Sequence, residues 1–313
     1  MIGKGEPLAR VATAGRPTNL LIVGGHSQAA LAFRRLLARD AESVSVLVRR
    51  PGTAAPSEKI FEVVDYFQPP VDVFAGVDAV VNFAGVTAAR SGSELMAVNA
   101  EGPRRLAELA KRQGVHQFVQ ISSLSIYGDA PDIGRDTQER PASAYGRSKM
   151  AADRALLALA DATFTVSCVR VPILYGRSAG TKLHRLARAM RRLGWWPAPA
   201  AMEHRSVLHV DNLSSALLQV IRRDMGGILF AADPEPFSLQ MLADVCSAGR
   251  GRRVRLVGLP ELAFAPLRVV AAGTYRSLYG RSLIDSGLCL SGEVPFRSTR
   301  DGLVDLFATT LEH

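Results

Sequence analysis

No stretch of these 313 residues approaches the roughly 18 consecutive apolar positions that a membrane-spanning helix needs. The best run, Val254 to Gly273, is broken by Pro260, Glu261, Pro266 and Arg268, which excludes a transmembrane helix there. Cysteine is scarce: Cys168, Cys246 and Cys289 are three and far apart, so neither a disulfide framework nor a metal-ligand spacing is written into the chain, and a reducing cytoplasm is the expected compartment. Acidic residues are in deficit, 29 against 38 basic ones, leaving a net charge of +9 that is carried overwhelmingly by arginine. Such a surplus suits nucleic acid, an anionic membrane surface or a phosphorylated small molecule, and only the motifs choose among them. What the chain does have is an ordinary globular composition, 48% hydrophobic, enough for one large domain or a domain with a smaller partner.

The first half alternates short aliphatic runs with longer amphipathic ones. Leu20–Gly24, Val44–Val48, Ile60–Val64, Ala79–Phe83, Phe118–Ser122 and Thr165–Arg170 read as strands buried on both faces. Between them Ala29–Arg39, Glu94–Arg112 and Tyr145–Ala160 carry helical spacing. Alternating strands and helices predict an α/β fold, a Rossmann-type doubly wound parallel sheet. After about residue 170 the rhythm stops. A basic helix (Lys182–Arg192), a Trp-Trp-Pro loop, a strand at Ser206–Val210, a helix at Asn212–Arg223 and weaker helices near Leu239–Ala248 and Pro260–Ala272 follow. We expect residues 19–170 with about 206–230 to form the nucleotide-binding domain, the Ser206–Phe230 stretch returning to the sheet. About 171–205 and 231–310 then form a smaller C-terminal substrate domain. Residues 1–18 read as a disordered tail or expression remnant, and 311–313 as a tag scar.

The turn after the first strand reads Gly24-Gly25-His26-Ser27-Gln28-Ala29-Ala30. A dinucleotide turn places glycines at its first, fourth and seventh positions for the tight turn, the approach of the pyrophosphate and close helix packing. Only Gly24 is kept; Ser27 and Ala30 fill the other places, and a plain Gly-Gly turn accounts for the local pattern equally well. At the end of the second strand stands Arg49-Arg50-Pro51, with no acid for ribose hydroxyls. Arginine there suits a 2′-phosphate, favouring NADP(H) over NAD(H), although two solvated loop arginines are the plainer reading.

The fifth strand ends in hydroxyls, Ser122-Ser123-Leu124-Ser125, at the sheet edge where ligands of open α/β sheets bind. Further on, Tyr145-Gly-Arg-Ser-Lys149 opens a helix, with Tyr145 and Lys149 one turn apart on one face. An ammonium there lowers a phenol's pKa and makes it a usable proton donor and acceptor, and Ser123 can share the same substrate oxygen.

In this order the motifs resemble the extended short-chain dehydrogenase/reductases of the nucleotide-sugar epimerase/dehydratase group. Asp78–Gly85, Val98–Gly102, Gly114–Val119, Ser122–Gly128, Tyr145–Lys149, Arg170–Gly176, His209–Asn212 and Val294–Leu303 carry the resemblance, which spans Asn19 to Leu306. It implies that Tyr145 is the acid/base, Lys149 its partner and a cofactor-ribose ligand, and Ser123 the substrate hydroxyl partner. It further implies that Gly24, Ser27, Gln28, Arg49, Arg50, Asp65, Tyr66, Ala84 and Gly85 line the cofactor, Asp65 accepting from the adenine amine, while Asn99 supports the active-site loops. Thr87 and Arg205 would meet the nucleotide sugar, with Arg276 as a second arginine for its phosphates. Arg170–Gly176, Arg205–Leu213 and Tyr275–Asp285 are similar to bacterial UDP-4-keto-6-deoxy-hexosamine 4-reductases of surface-polysaccharide synthesis. The implied substrate is a UDP-sugar, without nucleic acid or membrane insertion, and the implied assembly is a homodimer through the Glu94–Arg112 and Tyr145–Ala160 helices. A UDP-sugar 4-epimerase, a reductase of a non-sugar carbonyl and a non-catalytic NADP sensor stay open beside it.

His26 reads as a satisfied turn histidine and His209 as structural. Trp195-Trp196-Pro197 either stacks on the base or covers the domain junction. Arg185, Arg188, Arg191 and Arg192 read as one solvated helix face.

Overall fold

A computed structural model of the protein describes residues 19–38, 43–50, 58–177, 181–200, 202–248 and 253–308. The two terminal segments discussed above and Pro51 lie outside the described residues. The first half contains β1 (Leu20–Val23), α1 (Gln28–Leu37), β2 (Val44–Val48), β3 (Glu58–Glu62), β4 (Ala79–Asn82), α2 (Gly92–Met96), α3 (Gly102–Arg112), β5 (Gln117–Ser123), β6 (Asp132–Ile133), α4 (Ala144–Leu157) and β7 (Thr165–Val171). The second contains β8 (Ile173–Tyr175), α5 (Lys182–Leu193), β9 (Trp195–Pro199), β10 (Val207–His209), α6 (Val210–Arg222), β11 (Gly227–Phe230), α7 (Leu239–Ala248), β12 (Arg255–Leu259), α8 (Ala265–Val270), α9 (Ala272–Tyr279), β13 (Leu283–Ile284) and α10 (Thr299–Ala308).

Seven parallel strands form one sheet in the order β11-β7-β5-β4-β1-β2-β3. Strand order reverses between β1 and β4, and the carboxyl edge there is where a doubly wound sheet holds its ligand. The central strands are apolar on both sides because helices cover both faces. Leu20 and Ile22 point to the face packed by Phe33 and Leu37 of α1 and Leu213 and Leu217 of α6. Leu21 and Val23 point to the face packed by Leu106 and Ala110 of α3 and Leu156 of α4. A separate apolar cluster joins Leu183, Leu186 and Met190 of α5 to Leu242 and Val245 of α7 and Leu303 and Leu306 of α10.

Five sequence expectations are corrected. The strand read at Ile60–Val64 lies at Glu58–Glu62, is only half-buried, and leaves Val64 in solvent, because it is the sheet edge. Its charged Glu58 is used inward, in a buried double hydrogen bond to Arg34 at 2.7 Å. The helix read as continuous over Glu94–Arg112 starts at Gly92 and contains a π turn, Ala97–Glu101. The Trp-Trp-Pro loop is strand β9, in parallel register with β12, and the single helix at Pro260–Ala272 is a 3-10 turn followed by α8 and α9. Of the Ser206–Phe230 stretch only β11 rejoins the main sheet; β10 pairs with β8.

Candidate active site

The turn after β1 is shaped for close approach. Gly24 has φ +78°, and a Cβ there would stand 2.9 Å from the backbone nitrogen of Ala84. Gly25, which the motif spacing passed over, is equally constrained: its Cβ would lie 2.2 Å from Val46 Cγ1. The lost glycines have replacements with work to do. Ser27 is the N-cap of α1, its Oγ accepting from the Ala30 amide at 3.1 Å, and Ala30 is wholly buried between helix and sheet. Arg34 donates to the Gly25 carbonyl at 3.0 Å while paired with Glu58, so the turn is tied to the edge strand.

A groove of about 630 Å³ runs from this turn along the sheet edge, lined by Gly24, Ser27, Arg49, Asp65, Tyr66, Ala84 and Gly85, seven of the predicted cofactor residues. The Arg49 guanidinium lies 5.2 Å from the Tyr66 ring centroid, and Asp65 Oδ1 accepts from the Phe67 amide at 2.9 Å. Arg50 is exposed and does not line the groove. Gln28 does not either; it faces a different cavity beside α6, near Gly176. The glycine cradle, the α1 N-terminus and the groove's length fit a dinucleotide.

Asn99 sits in the π turn, a distortion often found at functional sites. Its Oδ1 accepts from the Val86 amide at 2.9 Å, and its Nδ2 donates to the Val86 carbonyl at 2.8 Å and to Ser148 at 3.1 Å. It thereby pins the loop after β4 to α4, the supporting role the family pattern implied.

The second cavity, about 580 Å³, is lined by Thr87, Ser123, Tyr145, Lys149 and Arg205. It shares Phe83, Gly85 and Val86 with the cofactor groove, so the two spaces meet at the end of β4. Local sequence sets the geometry. Ser143 caps α4, accepting from the Gly146 amide at 3.0 Å, and Gly146 leaves no room for a Cβ, which would lie 2.3 Å from the Ser125 carbonyl. That contact brings Tyr145 against the turn after β5, where Ser123 Oγ accepts from the Ser125 amide at 3.1 Å.

Burial pushes the Tyr145 hydroxyl above its ordinary pKa, while a hydrogen bond with Ser123 pulls it down. Sequence reasoning had the ammonium lowering the phenol; in the fold desolvation wins, and the Lys149 Nζ stands 6.0 Å from the ring centroid. Lys149 itself is buried, donates to the Ile121 carbonyl at 2.9 Å, and is pulled down to about 8 by desolvation against the opposing field of Asp153.

Asp153 continues the Tyr145–Lys149 face by one more turn. It accepts from Arg170 Nε at 2.9 Å, and Arg170 also donates to Tyr127 at 2.6 Å and to Glu139. Burial raises Asp153; Ser122 and Arg170 oppose it. Burial works against the Arg170 charge, and Asp153 and Glu139 more than restore it. Sequence reading missed Asp153, although its spacing four residues after Lys149 was the available signal.

Two further cations were misread. Arg185, assigned to a solvated helix face, lines the second cavity together with Lys182 and with Arg205, which burial brings down to about 10. Arg276 does not line it: its side chain pairs with Asp129, and its carbonyl accepts from Arg205 at 3.3 Å. Trp196 packs into the second core. His209 caps α6, Nδ1 accepting from the Asp211 amide at 3.2 Å, and burial lowers its pKa. The nearby carboxylates of Asp211 and Asp305 are both engaged by Arg297.

The model of the NAD dependent epimerase/dehydratase family matches residues 20–229. An uncharacterized protein, y4nL, of Sinorhizobium fredii (strain NBRC 101917 / NGR234) is 30% identical over 253 residues, 77% of this chain and 68% of its own. A UDP-glucose 4-epimerase of Vibrio cholerae is 29% identical over 130 residues, 40% of each chain. Among solved structures, MoeE5 in complex with UDP-glucose and NAD superposes with a TM-score of 0.73 at 23% identity, covering 93% of this chain and 98% of that one. The UDP-glucuronic acid 4-epimerase of Bacillus cereus in complex with NAD gives 0.74 at 15%, with the same coverage.

Proposed function

The chain belongs to the NAD-dependent epimerase/dehydratase family, and from that premise we propose that it is an oxidoreductase acting at C4 of a UDP-sugar. The favoured reaction is reduction of a UDP-4-keto-6-deoxy-hexosamine in surface-polysaccharide synthesis, with NADPH as the reductant. One observation carries the reading: Ser123, Tyr145 and Lys149 line a cavity that opens onto the dinucleotide groove at Gly85 and holds Lys182, Arg185 and Arg205. In this reading residues 19–170 with about 206–230 hold the cofactor, and about 171–205 and 231–310 hold the sugar nucleotide.

The nicotinamide, when bound, supplies the hydride. Everything else falls to the chain. Tyr145, kept protonated at neutral pH by its burial, gives its proton to the substrate's developing alkoxide. The Ser123 hydroxyl donates to the same oxygen. The Lys149 ammonium, fixed on the Ile121 carbonyl, stabilises the phenolate left behind. Lys182, Arg185 and Arg205 present the positive charge that a diphosphate requires. Arg49, at the adenosine end of the groove with no acid beside it at the end of β2, is assigned to a 2′-phosphate, which supports NADPH and with it a reductase that exchanges its cofactor at each turnover.

Thermal-shift titration separates the readings. UDP and a UDP-sugar raise the melting temperature, and NADPH binds about tenfold or more tighter than NADH, a difference that Arg49→Ala removes. No shift with any uridine nucleotide would leave a reductase of another carbonyl. Equal binding of NADH and NADPH would return the site to NAD and favour epimerisation, in line with the NAD named for the similar structures.

A further inference from the structure

The proposed reaction uses Arg49, Lys182, Arg185 and Arg205 and leaves most of the positive charge without a role. That charge is not spread evenly. Residues 162–202 contain seven lysines and arginines and residues 245–260 four arginines, and neither segment contains a single acid. Of these eleven, Lys182 and Arg185 line the site and Arg170 and Arg177 face carboxylates, which leaves seven arginines without an assignment.

The fold brings β9, at the end of α5, and β12 side by side. β9 and β12 pair in parallel with Arg255 opposite Trp195, and the Arg255 amide donates to the Gly194 carbonyl, at the end of α5, at 3.1 Å. Arg188 and Arg192 on α5 and Arg255 on β12 are exposed, and among the described residues none of the three has an ion-pair partner. The one acid on the adjoining α7, Asp244, faces Arg300 at 3.9 Å. Exposed apolar side chains sit among these arginines: Leu193 (47% accessible), Trp195 (46%) and Val257 (41%). Beyond β12 the chain also exposes Leu262, Val269 and Val270, each more than four-fifths accessible.

We propose that the α5 end and the β9/β12 ribbon form a docking surface for an anionic lipid bilayer. Arginines at the level of phosphate headgroups, with a tryptophan and two aliphatic side chains between them, match the layered chemistry of a membrane interface. Phosphate alone is also the chemistry of nucleic acid, but exposed leucine and valine gain nothing from a nucleic-acid backbone, whereas the acyl boundary of a bilayer buries them. The chain binds at the interface and does not cross it, since among the described residues no helix is long and apolar enough to span. This surface is independent of the reaction assigned to the site.

The test is co-sedimentation of the full chain with vesicles of phosphatidylglycerol and phosphatidylcholine in equal parts, against phosphatidylcholine alone. The protein sediments with the mixed vesicles and not with pure phosphatidylcholine, and high salt releases it. Arg188→Gln, Arg192→Gln and Arg255→Gln each lower partitioning about fivefold. Trp195→Ser with Val257→Ser lowers it at every salt concentration without changing the salt dependence. Circular dichroism melts confirm that the variants fold. Sedimentation unaltered by all of these changes, no binding to mixed vesicles, or retention of a labelled oligonucleotide in place of vesicles overturns the proposal.

Discussion

At the scale of single residues, the candidate active site holds a costly buried charge. Lys149 is buried with a pKa of about 8, below the ordinary 10.5. Between these values the unfolded chain binds the proton and the folded one does not, so stability rises with pH across that window and the full cost is felt below pH 8. Lys149→Met relieves about 3 kcal/mol of that cost and gives up about 1 kcal/mol in the bond to the Ile121 carbonyl. Denaturant melts therefore show a variant more stable than the parent by about 2 kcal/mol at pH 7, the gap narrowing above pH 8, while turnover is lost. A variant less stable than the parent at pH 7 would contradict this. In the parent, turnover falls as pH rises through about 8 and the ammonium is lost. Asp153 is the group that holds that charge up, so Asp153→Asn moves the falling limb to lower pH. It also leaves Arg170 with a buried guanidinium short of a partner, at a cost of about 3 kcal/mol in chemical melts. An unmoved pH limb would show that Asp153 only packs.

At the scale of elements, the question is how a turn that has lost two of three glycines keeps the form of a dinucleotide turn. Ser27 caps α1 and Ala30 is small enough for the helix to sit on the sheet. Ser27→Ala therefore costs about 1 kcal/mol in thermal or chemical melts, and Ser27→Gly only a few tenths, since glycine is itself a tolerable N-cap. Equal losses for the two would mean that the cap contributes nothing. The spacing in the sequence made the strand, turn and helix legible here, because hydrophobic period and turn chemistry are local. It did not reveal that Gly25 is pressed against Val46, since that contact depends on where β2 lies. The same distinction explains the other misreadings. The short apolar run over Ile60–Val64, read as buried on both faces, could not say that β3 would be an edge strand, and the proline after two tryptophans concealed that β9 finds its partner some sixty residues later in β12. The π turn at Asn99 likewise depends on hydrogen bonds to Val86 and Ser148, neither local to it in sequence.

For the molecule as a whole, the fold and the heart of the site were readable, and their electrostatics were not. Tyr145, Lys149, Ser123 and Gly24 stand in motifs whose spacing is set by one helix face or one turn, so order alone singled them out, and the fold sets them along the two adjoining cavities. The phosphate-side cations were harder. Arg205 lies in a motif, but Arg185 read as part of a solvated face and Lys182 stood only in a basic helix until the fold turned the start of α5 toward the cavity. Arg276, the second candidate after Arg205, is claimed by Asp129. A net charge gives no address to its members; the sheet and its crossovers do. The resulting account joins two spaces at Gly85, one for a dinucleotide and one for a diphosphate-bearing carbonyl compound, with a phenol at their border.

The decisive measurement is nicotinamide absorbance during incubation of the enzyme with NADPH and a panel of UDP-4-keto sugars, for the parent chain and for Tyr145→Phe. The account predicts oxidation of NADPH by the parent with at least one of these sugars, and a loss of about a hundredfold or more in kcat for the variant with cofactor binding unchanged. Normal turnover by Tyr145→Phe, or no oxidation with any UDP-4-keto sugar in a protein that binds both NADPH and UDP, would contradict it.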